Sequence, residues 1–335
     1  FIFYILYFIF YILYFIFLYY MSNTFLNLKS KYKNGILEND MKYIYSKNNY
    51  YKYISIIIFI RCGSKYESKE EEGLAHFLEH ILFKGTKKYK TNLILNKRID
   101  ELSGQINAST TYNYTNYYIT LPSKYLLEGL DLIKEIVFEP LLNSKELEKE
   151  KKVVLEEINQ TIDDSTDYCD DLIVSELFKE CKNNCNIGHS ILGTKKNIIS
   201  LNRKKLLKFY NKYYKYNNSC ISISGDLPKN ILEILNKTLC NINSNINSNK
   251  LELKFNKSNI ILKKPKILSK FRKREQIVIG LGFPIFDLYD KRKNELDILV
   301  NILYGGMTSK LWLALREINP IVYGLNVSYE LLEEG

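Results

Sequence analysis

The stretch GLAHFLEHILFKGT, residues 73–86, holds two of the chain's three histidines, His76 and His80, four positions apart, with Glu79 directly before the second. Residues at i and i+4 on a helix stack on one face, so both imidazoles can reach one ion from a rigid backbone. Glu79 falls beside that ion without having to bind it. Zinc used for hydrolysis takes three protein ligands and leaves a fourth position for water, whose pKa it lowers to about 7. A carboxylate next to that water can accept its proton and hand it to a leaving amine. The order H-x-x-E-H is one of the known zinc peptidase arrangements. Two surface histidines sharing a face by accident is the bland reading, and the carboxylate between them argues against it.

A third ligand has to come from elsewhere in the chain. His189 sits in CNIGHS, which reads as a loop. Acidic candidates lie in KEKKVVLEEINQTIDD, on a helix expected over 144–182. There Val153, Val154, Leu155 and Ile158 mark the buried side. Glu150 and Glu157 are two turns apart on one stripe, and Glu156 points elsewhere. Periodicity prefers this pair and does not choose between its members. Cys181, Cys185 and His189 also fall at i, i+4, i+8, but the Asn and Gly of NNCNIGH break the helix that would align them.

The elements that must position these groups follow from hydrophobic period and turn residues. KYIYSKNNYYKYISIIIFIRC, 42–62, reads as two strands around an Asn-Asn turn. EEEGLAHFLEHILF reads as a helix with Leu74, Phe77, Leu78, Ile81 and Leu82 as its apolar stripe. A second helix covers about 91–102, Gly104 ends it, and a hairpin follows from QINAST into YNYTNYYITLP. Residues 123–139 are helical, NIISLNRKKLLKFYNKYY is another helix, and SCISISGDL is a strand. Residues 237–250, KTLCNINSNINSNK, carry the Asn/Ser bias of a linker, which is expected over 237–265. Beyond it EQIVIGLGFP reads as a strand, 291–303 and 308–318 as helices, and IVYGLNVSYEL as a strand.

With 335 residues and 46% apolar content the chain can bury more than one core. Its net charge of +11 is spread over lysines among Asn, Ile and Tyr rather than gathered on one element. That pattern argues against a nucleic-acid partner. Six irregularly spaced cysteines fit a reducing compartment better than a disulfide framework. Residues 1–20 repeat FIFYILY ahead of Met21 without charge. They are expected to be a low-complexity stretch, with a membrane anchor as the alternative if they are genuine.

The neighbours of the histidine pair resemble a known family. GSKYESKEEEGLAHFLEHILFKGTKKY is similar to the zinc segment of the M16 metallopeptidases, and the similarity continues through GQINASTTYNYTNYYITLP, KEKKVVLEEI, HSILGTKKNI and YYKYNNSCISISGDL. It extends to EQIVIGLGFP, LYGGMTSKLW and LREINPIVYGLNVSY, and resembles in particular the shorter bacterial type and the mitochondrial processing peptidase beta subunit. The resemblance implies an α+β protein of two homologous domains, with mixed or antiparallel sheets packed on helices around a clam-like cleft. The domains are expected over 21–236 and, incompletely, over 266–335.

By position, the resemblance implies one zinc ion held by His76, His80 and Glu157, with Glu79 as general base. It implies that Glu150 supports the ligands by hydrogen bonding. Asn107 and Ala108 match the strand to which an extended substrate adds. Arg316 and Tyr323 match a pair that stabilises the oxyanion of the scissile carbonyl. Pro320 stands where the family has glycine, which alters the approach of Tyr323. In the acidic run DDSTDYCDD, Asp167 and Asp171 are candidates for holding a basic substrate residue, against the alternative of a solvated helix face. The expected activity is zinc-dependent endopeptidase cleavage of extended or unfolded peptides. The alternative is an impaired M16-like subunit acting as a scaffold. A second copy, a partner subunit or a further C-terminal segment is expected to complete the second domain. The expected compartment is the cytoplasm of a bacterial cell, with the mitochondrial matrix as the alternative.

Overall fold

The computed structural model describes residues 32–179, 186–240 and 266–333. The repeat at 1–20, the pair Cys181 and Cys185, and most of the expected linker lie outside them. Six strands form one sheet: β1 (Tyr32–Ile36), β2 (Lys42–Lys47), β3 (Tyr53–Ile60), β4 (Gln105–Thr110), β5 (Thr115–Pro122) and β6 (Ser219–Gly225), in the order β1-β2-β6-β3-β5-β4. The apolar strand expected from ISIIIFI forms as β3, where Ile54, Ile56, Ile58 and Ile60 are all buried and, as a strand's two-residue period requires, the residues between them are partly open. β3 pairs antiparallel with β5, setting Ile56 opposite Ile119, and with β6, setting Ile56 opposite Ile223.

β2 and β3 both form, but they are not a hairpin. β6 lies between them, parallel to β2 and antiparallel to β3. A strand more than a hundred residues later therefore closes the middle of the sheet, which no local pattern around Asn48 could foretell. The hairpin of β4 and β5 forms as expected, and β4 is left as the outer edge.

The helices are α1 (Leu74–Leu82), α2 (Asn92–Glu101), α3 (Leu126–Phe138), α4 (Ser144–Asp163), α5 (Ser165–Phe178), α6 (Lys195–Ser200), α7 (Arg203–Tyr213), α8 (Ile231–Leu239) and α9 (Lys293–Tyr304). α1 buries all five residues of its apolar stripe, each worth about 1.5–3 kcal/mol on transfer from water. α1 packs against β4 and α4, and α3 against β3 and β5.

Three expected elements are corrected. The helix expected over 144–182 ends at Asp163, because Asp164 is extended and its carboxylate accepts from Thr166 N and Asp167 N, capping α5 as a new helix. Val153 is 50% exposed, so the buried side of α4 is carried by Leu147, Val154 and Ile158 instead. The helix expected over 197–214 is split into α6 and α7, with the Asn202 side chain accepting from Lys205 N at the start of the second. The first residues of the expected linker also belong to a helix: α8 continues to Leu239, which is fully buried.

In 266–333, α9 forms, and 308–318 gives a short turn of helix at Lys310–Trp312 followed by a π-type turn over Leu313–Ile318. The strands expected at 275–284 and 321–331 do not form; Ile277, Ile279, Leu281 and Phe283 stand largely exposed. A strand needs a neighbour to take its backbone hydrogen bonds, and the described residues offer none here. Leu332 is nevertheless buried against Tyr112, Phe178 and Ile187. The described residues contain no helix long and apolar enough to cross a membrane. Cys62, Cys169, Cys220 and Cys240 are all free.

Candidate metal centre

α1 presents its two histidines side by side, with ring centroids 4.6 Å apart, as the i, i+4 spacing requires. α4 crosses α1 and brings both glutamates of its stripe up to the histidine pair, on different sides of it. Glu157 Oε1 lies 3.7 Å from His76 Nε2, and Glu157 Oε2 lies 3.5 Å from His80 Nε2. One ligand atom from each of these three side chains lies within 4.8 Å of the others. Glu150 faces the other way: its Oε1 is 2.9 Å from His80 Nδ1 and its Oε2 accepts from Lys84 Nζ at 2.7 Å.

Electrostatics separate the two imidazoles. Burial, helped by the neighbouring His80, pushes the pKa of His76 down to about 3, so its ring is neutral and its contact with Glu157 is not an ion pair. Burial also opposes charge on His80, but the hydrogen bond to Glu150 and the charges of Glu157, Glu150 and Glu79 outweigh it and hold its pKa above the usual value. Burial works against ionised Glu150, yet hydrogen bonds from His80 and Lys84 prevail and lower its pKa. Burial raises Glu79, partly offset by Thr110, whose hydroxyl donates to Glu79 Oε2 at 2.6 Å.

The trio fits a zinc ion. Two imidazole nitrogens and a carboxylate are a usual hydrolytic donor set, and ligands about 2.0–2.2 Å from one metal lie a little over 3 Å from each other. Glu157 Oε2 is buried without a hydrogen-bond partner among the described residues. A buried carboxylate oxygen without a donor is costly unless something cationic meets it.

Three contributors escaped the sequence reading. Thr110 follows Ala108 by two, so the period of a strand turns both toward α1. Lys84 lies four residues past His80, in the turn that ends α1. Glu67 is buried ahead of α1, its Oε2 accepting from Gly73 N at 2.9 Å and its Oε1 from Ala75 N at 2.6 Å. No periodic signal marks it, because it acts from an irregular loop across six to eight residues.

The other expected residues sit apart. Asn107 is exposed and Ala108 half-buried on the edge strand β4. His189 Nε2 lies 3.1 Å from Ser64 O, consistent with a structural loop residue. Asp167 and Asp171 are on α5, not on the helix of Glu157: Asp167 is exposed, whereas Asp171 is partly buried and its carboxyl interacts with the Ser190 side chain and His189. The guanidinium of Arg316 lies 5.0 Å from the ring centroids of both Trp312 and Tyr323, and Tyr323 is 86% exposed. Neither hydrogen-bonds to the histidines, Glu79 or Glu157 among the described residues.

Comparison with known proteins places the chain in a family. Residues 43–195 match the family described as Insulinase (Peptidase family M16), and residues 200–333 match the Peptidase M16 inactive domain. The uncharacterized zinc protease YmxG of Bacillus subtilis is 30% identical over 300 residues, covering 88% of this chain and 69% of that protein. The mitochondrial-processing peptidase subunit beta of Mus musculus is 31% identical over 196 residues, 58% of this chain and 39% of that one. A protease from Helicobacter pylori shares the fold with a TM-score of 0.69 at 21% identity, over 91% of this chain and 73% of that chain. The periplasmic protease PqqL from Escherichia coli gives a TM-score of 0.57 at 23% identity, over 63% of this chain and 24% of that chain. The chain thus spans about two thirds of the zinc protease relatives and a quarter of PqqL. On the match of both halves and the YmxG similarity, this chain belongs to peptidase family M16.

Proposed function

We propose that the chain is a zinc-dependent endopeptidase acting on extended or unfolded peptides. The observation that carries this reading is the convergence of His76 Nε2, His80 Nε2 and the Glu157 carboxylate, with Glu79 on the same helix as the two imidazoles. His76, His80 and Glu157 would hold one ion, and zinc bound there would supply Lewis acidity to a water and to the scissile carbonyl. Glu79 takes the proton of the attacking water through the carboxylate oxygen that Thr110 does not occupy, then delivers it to the departing amine. Thr110 fixes the carboxylate so that this oxygen is aimed rather than free to rotate.

The open edge of β4 gives an extended peptide a strand to join, with Asn107 and Ala108 along it. Such an edge selects backbone conformation more than sequence, which suits unfolded substrates. Arg316 and Tyr323 would add a cation and a phenol for the oxyanion if the second domain is brought over the site by a second copy, a partner subunit or further chain. Exposed Asp167 is the better candidate for a basic substrate side chain, since Asp171 is already engaged.

The test is hydrolysis of a mixed peptide library by the full chain, with and without a zinc chelator, beside Glu79→Gln. Cleavage lost in both arms, with zinc retained by Glu79→Gln, is the expected result. Cleavage that survives the chelator and the substitution overturns the reading.

A further inference from the structure

We propose that Lys84 is a positioning residue for the metal centre: it clamps Glu150 Oε2 so that Glu150 Oε1 meets His80 Nδ1 and the opposite ring nitrogen faces Glu157. The inference rests on the zinc reading above and adds a residue that reading does not use.

Three contacts in series carry it. Lys84 Nζ donates to Glu150 Oε2 at 2.7 Å, Glu150 Oε1 lies 2.9 Å from His80 Nδ1, and His80 Nε2 lies 3.5 Å from Glu157 Oε2. The middle member is deeply placed, with its side chain only 4% exposed, so solvent offers little to take the place of a lost partner. A carboxylate can rotate about its last torsion, which is broad and two-fold. With only His80 as partner, its acceptor atoms are free to swing. A cation on the second oxygen removes that freedom and leaves one orientation.

Lys84 is itself held. It lies two residues beyond the end of α1, its backbone N donates to Ile81 O at 3.1 Å, and its side chain is 28% exposed. The helix therefore carries the imidazole to be oriented, and the turn that ends it carries the cation that orients it through α4. Groups that hydrogen-bond the far side of a metal-bound imidazole fix the ring and raise its basicity, and their loss costs roughly 10–100-fold in metal affinity. Lys84 acts one step further out, through a carboxylate that must point correctly to do this. The competing view is that Lys84 only stabilises the packing of α1 on α4. That view predicts a loss of stability without a change in the metal-free protein's affinity for zinc.

The experiment measures the zinc dissociation constant of the full chain by competition with a coloured chelator, for wild type, Lys84→Met, Lys84→Arg, Glu150→Gln and the Lys84→Met/Glu150→Gln pair. Urea unfolding of each metal-free protein runs alongside. Expected are one zinc per wild-type chain, an affinity about tenfold or more weaker in Lys84→Met, and recovery to within about threefold in Lys84→Arg, whose guanidinium can reach the same oxygen. On the Glu150→Gln background, Lys84→Met should add less than about threefold, since the step it serves is gone. Wild-type affinity in Lys84→Met, or an equal loss on both backgrounds, overturns the role of Lys84 while leaving the zinc reading intact. Should Lys84→Met not fold, an affinity in Lys84→Arg as weak as that of Glu150→Gln overturns the proposal. Failure of the wild-type chain to bind zinc overturns both.

Discussion

Glu67→Ala should loosen the start of the zinc helix, and the size of the effect can be worked from the contacts. The carboxylate takes two backbone N–H groups, Gly73 N at 2.9 Å and Ala75 N at 2.6 Å, and both residues are buried. Each donor left without a partner costs about 1–3 kcal/mol. Water entering the vacated space recovers part of that, so a net loss of about 2–4 kcal/mol is expected, more than the roughly 0.5–2 kcal/mol of a single helix cap because two donors lose their partner. Glu67→Gln keeps one acceptor and sets its amide against the second N–H, giving a smaller loss of about 1–2 kcal/mol. With a urea slope of about 2–3 kcal/mol/M, the alanine variant should unfold about 1 M earlier than wild type. His76 lies in the first turn of α1, so zinc affinity should fall with it. The acidity of Glu67 adds a second readout. Burial outweighs the two N–H bonds and holds its folded pKa well above the usual 4.5. Between 4.5 and that raised value the folded chain keeps a proton the unfolded chain has released. The stability Glu67 contributes is therefore full below pH 4.5 and declines as pH rises through this window, a decline absent from Glu67→Gln. An alanine variant with the wild-type urea midpoint, or one equal to the glutamine variant, refutes the reasoning.

Thr110→Val should shift the pH profile of peptide hydrolysis. Glu79 must be ionised to act as base, and the Thr110 hydroxyl bond favours its ionised form, so losing that bond should move the acidic limb of kcat/KM to higher pH in the variant. Gly193→Ala should cost about 1–3 kcal/mol in urea unfolding. Its φ is +72° and a Cβ there would lie 2.2 Å from Glu72 O, a backbone atom next to the start of the zinc helix. Arg316→Ala and Tyr323→Phe should lower kcat by about 10²–10³ each if they serve the oxyanion. Neither should move the unfolding midpoint, because Tyr323 is exposed and the contacts of the Arg316 guanidinium among the described residues are with the neighbouring rings of Trp312 and Tyr323.

Spacing along one helix is a local property, and it is why His76, Glu79 and His80 could be read as one face of α1 from the sequence alone. The same logic made Glu150 and Glu157 a pair, and local pattern also marked β3, β4, β5 and β6 as strands. It could not say which glutamate faces the histidines, because that depends on how α4 crosses α1. There Glu157 meets both Nε2 atoms and Glu150 meets His80 Nδ1. Nor could it place β6 between β2 and β3, since strand order is set by which edges find partners across the chain. Asp164 broke a helix whose apolar period continues, because a capping carboxylate competes locally with the helical bond. The expected strands of 266–333 show the limit of pattern most directly: alternation marks a chain able to join a sheet, and only a neighbouring strand makes it one. Lys84, Thr110 and Glu67 reach the site across gaps in sequence, so their part was decided by tertiary packing, where distance and burial determine which polar groups meet.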